Sequence, residues 1–444
     1  MNQKITEKVV EPKVLFPFIL VTSLFALWGF ANDITNPLVS AFKTVLEISN
    51  TQASLVQLAF YGGYFTMALP AAFFIKKYSY KSGVLMGLAL YATGALLFYP
   101  AAVTEQFGFF LLALYILTFG LAFLETTANP FILSLGSEAT ATRRLNLAQS
   151  FNPMGSLLGM LTASNFILAS LQSDDKNEAG ALIYPTLDAS TKATIRAADL
   201  IAIRDPYVIL GLFVMGMFVL FLVSKMPARG DDDRNLKFGE TFRRLMKNNH
   251  YKEGVLAQAF YVGAQIMCWT FIIQYAENLG FTKEAAQNYN ILAMIIFLSS
   301  RFVSTWMLKY IKGSQLLMYF GMGGIFTLLG TIFLGGMPGL YCLIATSAFM
   351  SLMFPTIYGI ALKGLGDDAK LGSAGLIMAI VGGALMPPLQ GSILDIGGAN
   401  YNDTLILGVP EVNFSFILPL ICFVVVAIYG YRSRLDSIDY GKTS

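Results

Sequence analysis

Long stretches of this chain are apolar at nearly every position, and short polar stretches interrupt them at intervals. A helix needs about 20 apolar residues to cross a bilayer. By that measure about twelve runs are predicted membrane helices. They lie near 14–41, 52–75, 82–103, 107–135, 143–170, 206–226, 252–277, 286–310, 314–336, 338–362, 371–395 and 412–431, numbered below as spans 1 to 12. Several exceed the minimum, as tilted or kinked helices do. Pro70, Pro130, Pro153 and Pro355 fall inside runs, where neighbouring helices can satisfy the carbonyls that a proline frees. Residues 1–13 are polar, and the run from Val14 has no small-residue cleavage site, so it reads as a first span and not a removable signal. The expectation is an all-α membrane protein with twelve transmembrane helices.

The polar stretches give the orientation and a boundary. Lys76, Lys77 and Lys81 lie between spans 2 and 3, and Arg143 and Arg144 between spans 4 and 5. Lys225, Arg229, Arg234, Lys237, Arg243, Arg244 and Lys247 lie between spans 6 and 7. Lys309 and Lys312 follow span 8, and Arg432 and Arg434 follow span 12. With twelve spans all of these loops share one side, and basic loops stay cytoplasmic, so both termini are expected there. The alternate loops hold few basic residues, and the long one from Gln172 to Asp205 mixes both signs. The polar stretch from Pro227 to Tyr251, with Asp231, Asp232 and Asp233, divides the chain into halves 1–226 and 252–444 around a linker, 227–251. Within it Leu236, Phe238, Phe242, Leu245 and Met246 fall near one helical face, which suggests either a short amphipathic helix on the inner leaflet or a solvated linker.

The halves keep a faint repeat. NPFILSLGSEA, from Asn129 to Ala139, resembles FPTIYGIALKGLGDDA, from Phe354 to Ala369. Two six-helix halves of this kind resemble the major facilitator architecture, with a site near the midplane between pseudo-symmetric repeats. The acidic-glycine signature usual in that family's first short loop is absent, and IKKYSYKSG stands there.

Composition narrows the class. The chain is 55% hydrophobic and 13% charged, with a mean hydropathy of +0.61, whereas soluble domains carry about 25% charged residues. A net charge of +3 gives no reason to expect a nucleic-acid partner. Cys268, Cys342 and Cys422 fall inside apolar runs far apart and read as core packing, with no disulfide or metal signature. The single histidine, His250, reads as a loop residue, so no intramembrane proton carrier of that type is expected. Nothing resembles a nucleophile with its base, a metal site or a phosphate loop, so neither an enzyme nor a cofactor is expected.

What remains is polar chemistry inside the spans. Glu125 sits near the middle of LTFGLAFLETTANPFILSLG, and no residue near it on that helix can neutralise it. An ionised carboxylate at such depth costs about 2.5–3.5 kcal/mol on insertion scales. Asn129 lies one turn on. Span 1 carries Asn32, Asp33 and Asn36, span 5 carries Asn146, Gln149 and Asn152, and span 7 carries Gln258, Tyr261, Gln265 and Trp269. The i, i+3, i+4 spacing puts each set on one helix face. Such faces are unfavourable toward lipid. Amides paired only with each other could serve as interhelical glue, at about 0.6 kcal/mol each. Amides on three helices beside two carboxylates and a tryptophan point further, because amides both donate to and accept from hydroxyls. The mixture suits a neutral polyhydroxylated ligand. An anion would need a buried cation, and Arg301, toward the basic-loop end of span 8, is expected to snorkel or to pair with a gate carboxylate.

At this point LWGFANDITNPL, QLAFYGGYFTMALPAAFFIKKYSYKSG, FLETTANPF, RLNLAQSFN, VLAQAFYVGAQIMCW and SAFMSLMFPTIYG resemble the bacterial L-fucose–proton symporter family, within the fucose, galactose and glucose symporter group. The resemblance covers most of the chain except 172–205 and the linker. It implies a secondary transporter of the bacterial inner membrane, a monomer that imports a neutral monosaccharide such as L-fucose by proton-coupled alternating access. It implies that Glu125 serves proton coupling and sugar recognition, and that Gln149 and Asn152 bind sugar. By the fold it implies, Asn129, Gln258, Gln265 and Trp269 line the same cavity. Phe354 holds the family's aromatic position before the span-10 proline, without a tyrosine hydroxyl. The family's other carboxylate, on span 1, aligns with Asn36, and an amide carries no proton near neutral pH. Asp33, one turn away, is the candidate substitute. Sodium coupling, uncoupled transport and a non-transporting sugar sensor stay open as alternatives.

Overall fold

The computed structural model describes residues 8–439 except 36–37, 49, 54, 176, 178–181, 228–237, 282, 395 and 397–403. Among these residues eleven helices are long and apolar enough to cross a membrane. The remaining predicted run, span 5, is a broken helix. It comprises Ala141–Gln149, Phe151–Thr162 and a wider π-helical turn, Ala163–Ile167. Pro153 has no N–H, so the carbonyl of Gln149, four residues earlier, loses its helical donor. The helix breaks at Ser150, between them. Span 10 breaks in the same way ahead of Pro355, into Gly336–Met350 and Met353–Ala361. Pro70 and Pro130, by contrast, lie inside the continuous helices Leu55–Lys77 and Phe107–Ser134.

Span 6 is longer than its apolar run. Its helix, Ala189–Val223, takes in the second part of the stretch from Gln172 to Asp205 that reads as a loop. Asp188 starts it early, accepting the N–H groups of Ser190 and Thr191 at 3.1 Å each. Buried Asp199 then accepts the N–H groups of Gln172 at 3.0 Å and Ser173 at 2.9 Å, which ties the preceding chain to this helix.

The basic loop residues also end helices. Arg144 is fully buried and donates to the carbonyls of Ile132, at 2.7 Å, and Leu133, in the last turn of span 4. Lys81 reaches the carbonyls of Leu222 and Ser224, each at 2.8 Å, where span 6 stops. The last carbonyls of a helix have no partner within it, and a cation supplies one.

The linker contains a helix, Phe238–Lys247, with Thr241 and Leu245 buried and Phe238, Phe242 and Met246 exposed. Arg244 grips Asp368 through two hydrogen bonds of 2.8 Å. Leu236, Lys237, Arg229, Arg234 and the Asp231–Asp233 run lie outside the described residues. His250 is a correction to the reading of a loop residue. It sits in the first turn of the span-7 helix, Asn249–Asn278, with Nε2 3.3 Å from the Ile360 carbonyl.

By internal packing the described chain divides into two compact units. One draws on Met1–Leu15, Asn129–Ser150 and Lys237–Ser444, the other on Phe16–Ala128 and Phe151–Leu236. The hairpin end of spans 4 and 5 therefore packs with spans 7 to 12. In the second unit a Cβ on Gly155 would overlap the Ala26 carbonyl oxygen, so glycine lets span 5 lie directly on span 1. In the first, Gly382 lies as close to the Ala259 carbonyl and brings span 11 onto span 7.

Candidate functional site

The unit that holds Glu125 places a hydroxyl donor against its carboxylate. Glu125 is 5% exposed on the straight helix of span 4. Tyr64, on span 2, is buried and donates its hydroxyl to Oε1 at 2.8 Å. Sequence reasoning passed over Tyr64. The available signal was a tyrosine pair, Tyr61 and Tyr64, in an apolar run, since a buried tyrosine hydroxyl usually finds a partner. Asp33 is half-buried on span 1 and lies within electrostatic reach of the Tyr61 hydroxyl. Asn152 is half-buried, and its Nδ2 donates to the Phe25 carbonyl at 3.2 Å. Gly29 makes that approach possible, since a Cβ there would overlap the Asn152 carbonyl. Asn36 lies outside the described residues.

The other unit holds the remaining amides. Gln149 donates from Nε2 to Oδ1 of Asn129 at 2.7 Å, and both side chains are buried. Asn146, the third member of the span-5 stripe, instead joins span 10, donating to Thr356 Oγ1 at 3.1 Å. Gln258 is fully buried, yet neither its Nε2 nor its Oε1 meets a partner among the described residues. Gln265 is half-buried. Trp269, also half-buried, donates its indole N–H to Ser347 Oγ at 3.2 Å and sets its ring edge-on to Phe297 at 5.0 Å. The Phe354 ring is half-buried, 6.4 Å from that of Tyr261 and 6.3 Å from that of Tyr358. Tyr261 spends its hydroxyl on the Met350 carbonyl at 3.1 Å.

Arg301 departs from expectation. It neither snorkels nor pairs with a carboxylate among the described residues. It is 3% exposed, lies over the Phe297 ring at 4.6 Å, and donates from Nη1 to the main-chain carbonyl of Gln149 at 3.1 Å. Packing against span 5 closes off the route to water that snorkelling needs.

Chemically, one unit offers a buried acid with a hydroxyl donor, and the other offers buried amides beside aromatic faces. Amides can trade hydrogen bonds with hydroxyl groups in both directions, and a carboxyl group can gain or lose a proton. Among the described residues no cluster of histidine, cysteine or carboxylate side chains could hold a metal ion.

The sequence matches the Major Facilitator Superfamily over residues 21–387. The chain belongs to that superfamily. Within the superfamily it is 61% identical over 427 residues to the L-fucose-proton symporter of Haemophilus influenzae, covering 96% of this chain and 98% of that one. It is 35% identical over 427 residues to the L-fucose-proton symporter of Escherichia coli, covering 95% and 94%. A glucose/galactose transporter of Brucella abortus is 31% identical over 432 residues, covering 96% of each. The fold matches the crystal structure of the superfamily transporter FucP in the outward conformation with a TM-score of 0.84 and 34% identity, over 94% of this chain and 99% of that one. These superfamily relatives are transporters and not enzymes, and this chain is a multi-pass membrane protein of the same build.

Proposed function

We propose that this protein imports L-fucose, or a closely related neutral hexose, together with a proton. The observation that carries the reading is Glu125, an acid buried in a membrane span and accepting a hydrogen bond from the Tyr64 hydroxyl of a neighbouring span. Its identity to proteins named L-fucose-proton symporters supports the substrate and the ion. The protein sits in the bacterial inner membrane as a monomer, with both termini cytoplasmic, as the basic loops favour. It uses no cofactor beyond the coupling ion.

The roles follow from chemistry. Protonated Glu125 is neutral, so the loaded protein carries no extra buried charge when it switches. Deprotonation on the inside then releases proton and sugar. Asp33 is the accessory carboxylate in place of the family acid that aligns with Asn36. Gln149, Asn152, Asn129 and Asn36 offer hydrogen bonds to sugar hydroxyls from the first half, and Gln258 and Gln265 from the second. An unpaired buried amide costs about 1–3 kcal/mol, and a sugar hydroxyl at Gln258 offsets that cost at one stage of the cycle. Trp269 and Phe354 pack against the apolar face of the sugar ring. Because the Trp269 N–H is held by Ser347, this residue contributes its ring and not a donor.

One charge crossing about 150 mV supplies roughly 3.5 kcal/mol, at about 2.3 kcal/mol per 100 mV. At about 1.4 kcal/mol per tenfold, that supports a few hundred-fold accumulation. The amide at Asn36 favours one second reading, a sodium-coupled or uncoupled sugar carrier. Proteoliposomes given a sugar panel, with pH and sodium gradients imposed separately, distinguish the two. L-fucose accumulation driven by the pH gradient alone is expected. Accumulation that follows only sodium, or counterflow with no gradient-driven accumulation, replaces the proton reading with the second one.

A further inference from the structure

Arg301 is a cation buried in a membrane span with no acid paired to it among the described residues. Its Nε meets no partner among the described residues, and its one hydrogen bond goes to a main-chain oxygen, that of Gln149. An uncompensated buried charge is costly, so its position needs a reason.

The acceptor explains it. Because Pro153 has no N–H, the carbonyl of Gln149 lacks the donor that a regular helix would give it. An unsatisfied carbonyl inside a membrane is itself unfavourable by several kcal/mol. A donor without a partner on span 8 thus meets an acceptor without a partner on span 5, in a charge-assisted bond. Further contacts close the same surface. Asn146 donates to Thr356 on span 10, and the Thr142 side chain lies against Gly359 of span 10 and Gly313 at the start of span 9, so close that a Cβ on either glycine would press on it.

We propose that Arg301 latches the hairpin end of spans 4 and 5 onto spans 8 and 10, holding the inner side shut through the proline-freed carbonyl of Gln149. This rests on the transport reading for its purpose, since alternating access requires span 5 to leave spans 8 and 10 once per cycle. Water entering from the inside then solvates both the guanidinium and the carbonyl, so the latch is reversible. Gln149 is the residue that joins latch to ligand. Its main chain is held by Arg301 and its side chain by Asn129, and a sugar that draws the side chain away acts on the latched residue directly. Arg301 is therefore a positioning residue that acts through Gln149.

The test uses the full chain in inside-out vesicles with a reporter, Thr356→Cys, which is fully buried in the closed surface. Alkylation of that thiol by a maleimide reads how often the inner side opens. Arg301→Met removes the latch. Pro153→Ala gives the Gln149 carbonyl a helical N–H that competes with Arg301, without touching the arginine. Each is expected to speed alkylation at least tenfold, which converts to about 1.4 kcal/mol. Each is also expected to raise the KM for external sugar while leaving counterflow at saturating sugar within threefold. Arg301→Lys, which keeps a donor, is expected to restore slow alkylation in part. Should Arg301→Met fail to reach the membrane, Pro153→Ala carries the test alone. Unchanged alkylation in Pro153→Ala, with L-fucose counterflow intact in the parent, overturns the latch and leaves the transport reading standing. A parent that moves no sugar, with alkylation still accelerated by both variants, overturns the transport reading and leaves the latch.

Discussion

Tyr64 and Glu125 stand 61 positions apart, and a 2.8 Å hydrogen bond joins their two buried side chains. A hydrogen bond to a charged group contributes about 1.5–3 kcal/mol, so the hydroxyl favours the ionised form that must follow proton release. Tyr64→Phe is therefore expected to slow pH-driven uptake by about tenfold or more, while sugar exchange between the two faces continues. Unaltered uptake in this variant would show that the tyrosine is only packing. Glu125→Gln mimics the protonated acid. It should keep exchanging L-fucose yet lose all accumulation on a pH gradient, and wild-type accumulation in this variant excludes proton coupling through Glu125. For the amides, Gln149→Ala and Asn152→Ala each remove a hydrogen-bonding group, with an expected loss of about 1–3 kcal/mol in sugar binding. Calorimetry checks this, and unchanged affinity in both removes span 5 from the site.

At the scale of elements, two helices differ from their apolar runs for opposite reasons. Span 5 is broken within its run because Pro153 withdraws a donor from the carbonyl of Gln149. Span 6 is longer because Asp188 supplies an acceptor outside the apolar stretch. The hydroxyls of Ser190 and Thr191, together with their N–H groups, hold the Asp188 carboxyl well below its usual range. Its folded value is depressed, so the cap is fully present above the unfolded value of about 3.9 and is lost only as pH falls through the folded one. Amide exchange at Ser190, Thr191 and Lys192 is therefore expected to stay slow from neutral to mildly acid pH in the wild type. In Asp188→Ala it should be fast throughout, and slow exchange in that variant would assign the helix start to another group. Gly155 tests the packing of span 5 on span 1. A side chain there must displace the Ala26 backbone, and overpacking of this kind costs about 1–3 kcal/mol. Gly155→Val should lower the thermal unfolding temperature in detergent.

At the scale of the whole molecule the question is which ion does the work. The family pattern places acids on two spans, and this chain has an amide, Asn36, at one of those positions and Asp33 a turn before it. If Asp33 took over the accessory role, Asp33→Asn should reduce pH-driven accumulation while leaving exchange in place. Accumulation that survives Asp33→Asn in full leaves Glu125 as the sole coupling acid. An imposed sodium gradient should add nothing to either protein.

Much of this architecture is legible in one dimension because its causes are local. Crossing a bilayer needs an unbroken apolar length, so the runs give the spans. A carboxylate or an amide inside such a run is unfavourable wherever the helix packs, so Glu125, Asn129, Gln149 and Gln258 stand out before any partner is known. Periodicity also gives the face each one occupies. It says nothing about what meets that face. Tyr64 beside Glu125, Thr356 beside Asn146, Ser347 beside Trp269 and Arg301 beside the Gln149 carbonyl are pairings across helices, decided by which helices touch, at what height and in what rotation. His250 was misjudged for the same reason, since a basic residue in a loop and one set against a neighbouring helix look alike in sequence. The sequence by itself determined the membrane class, the spans and the list of candidate polar groups. Only the tertiary structure decided which of them are committed to one another and which keep hydrogen-bonding capacity, because that depends on contacts between segments far apart in the chain.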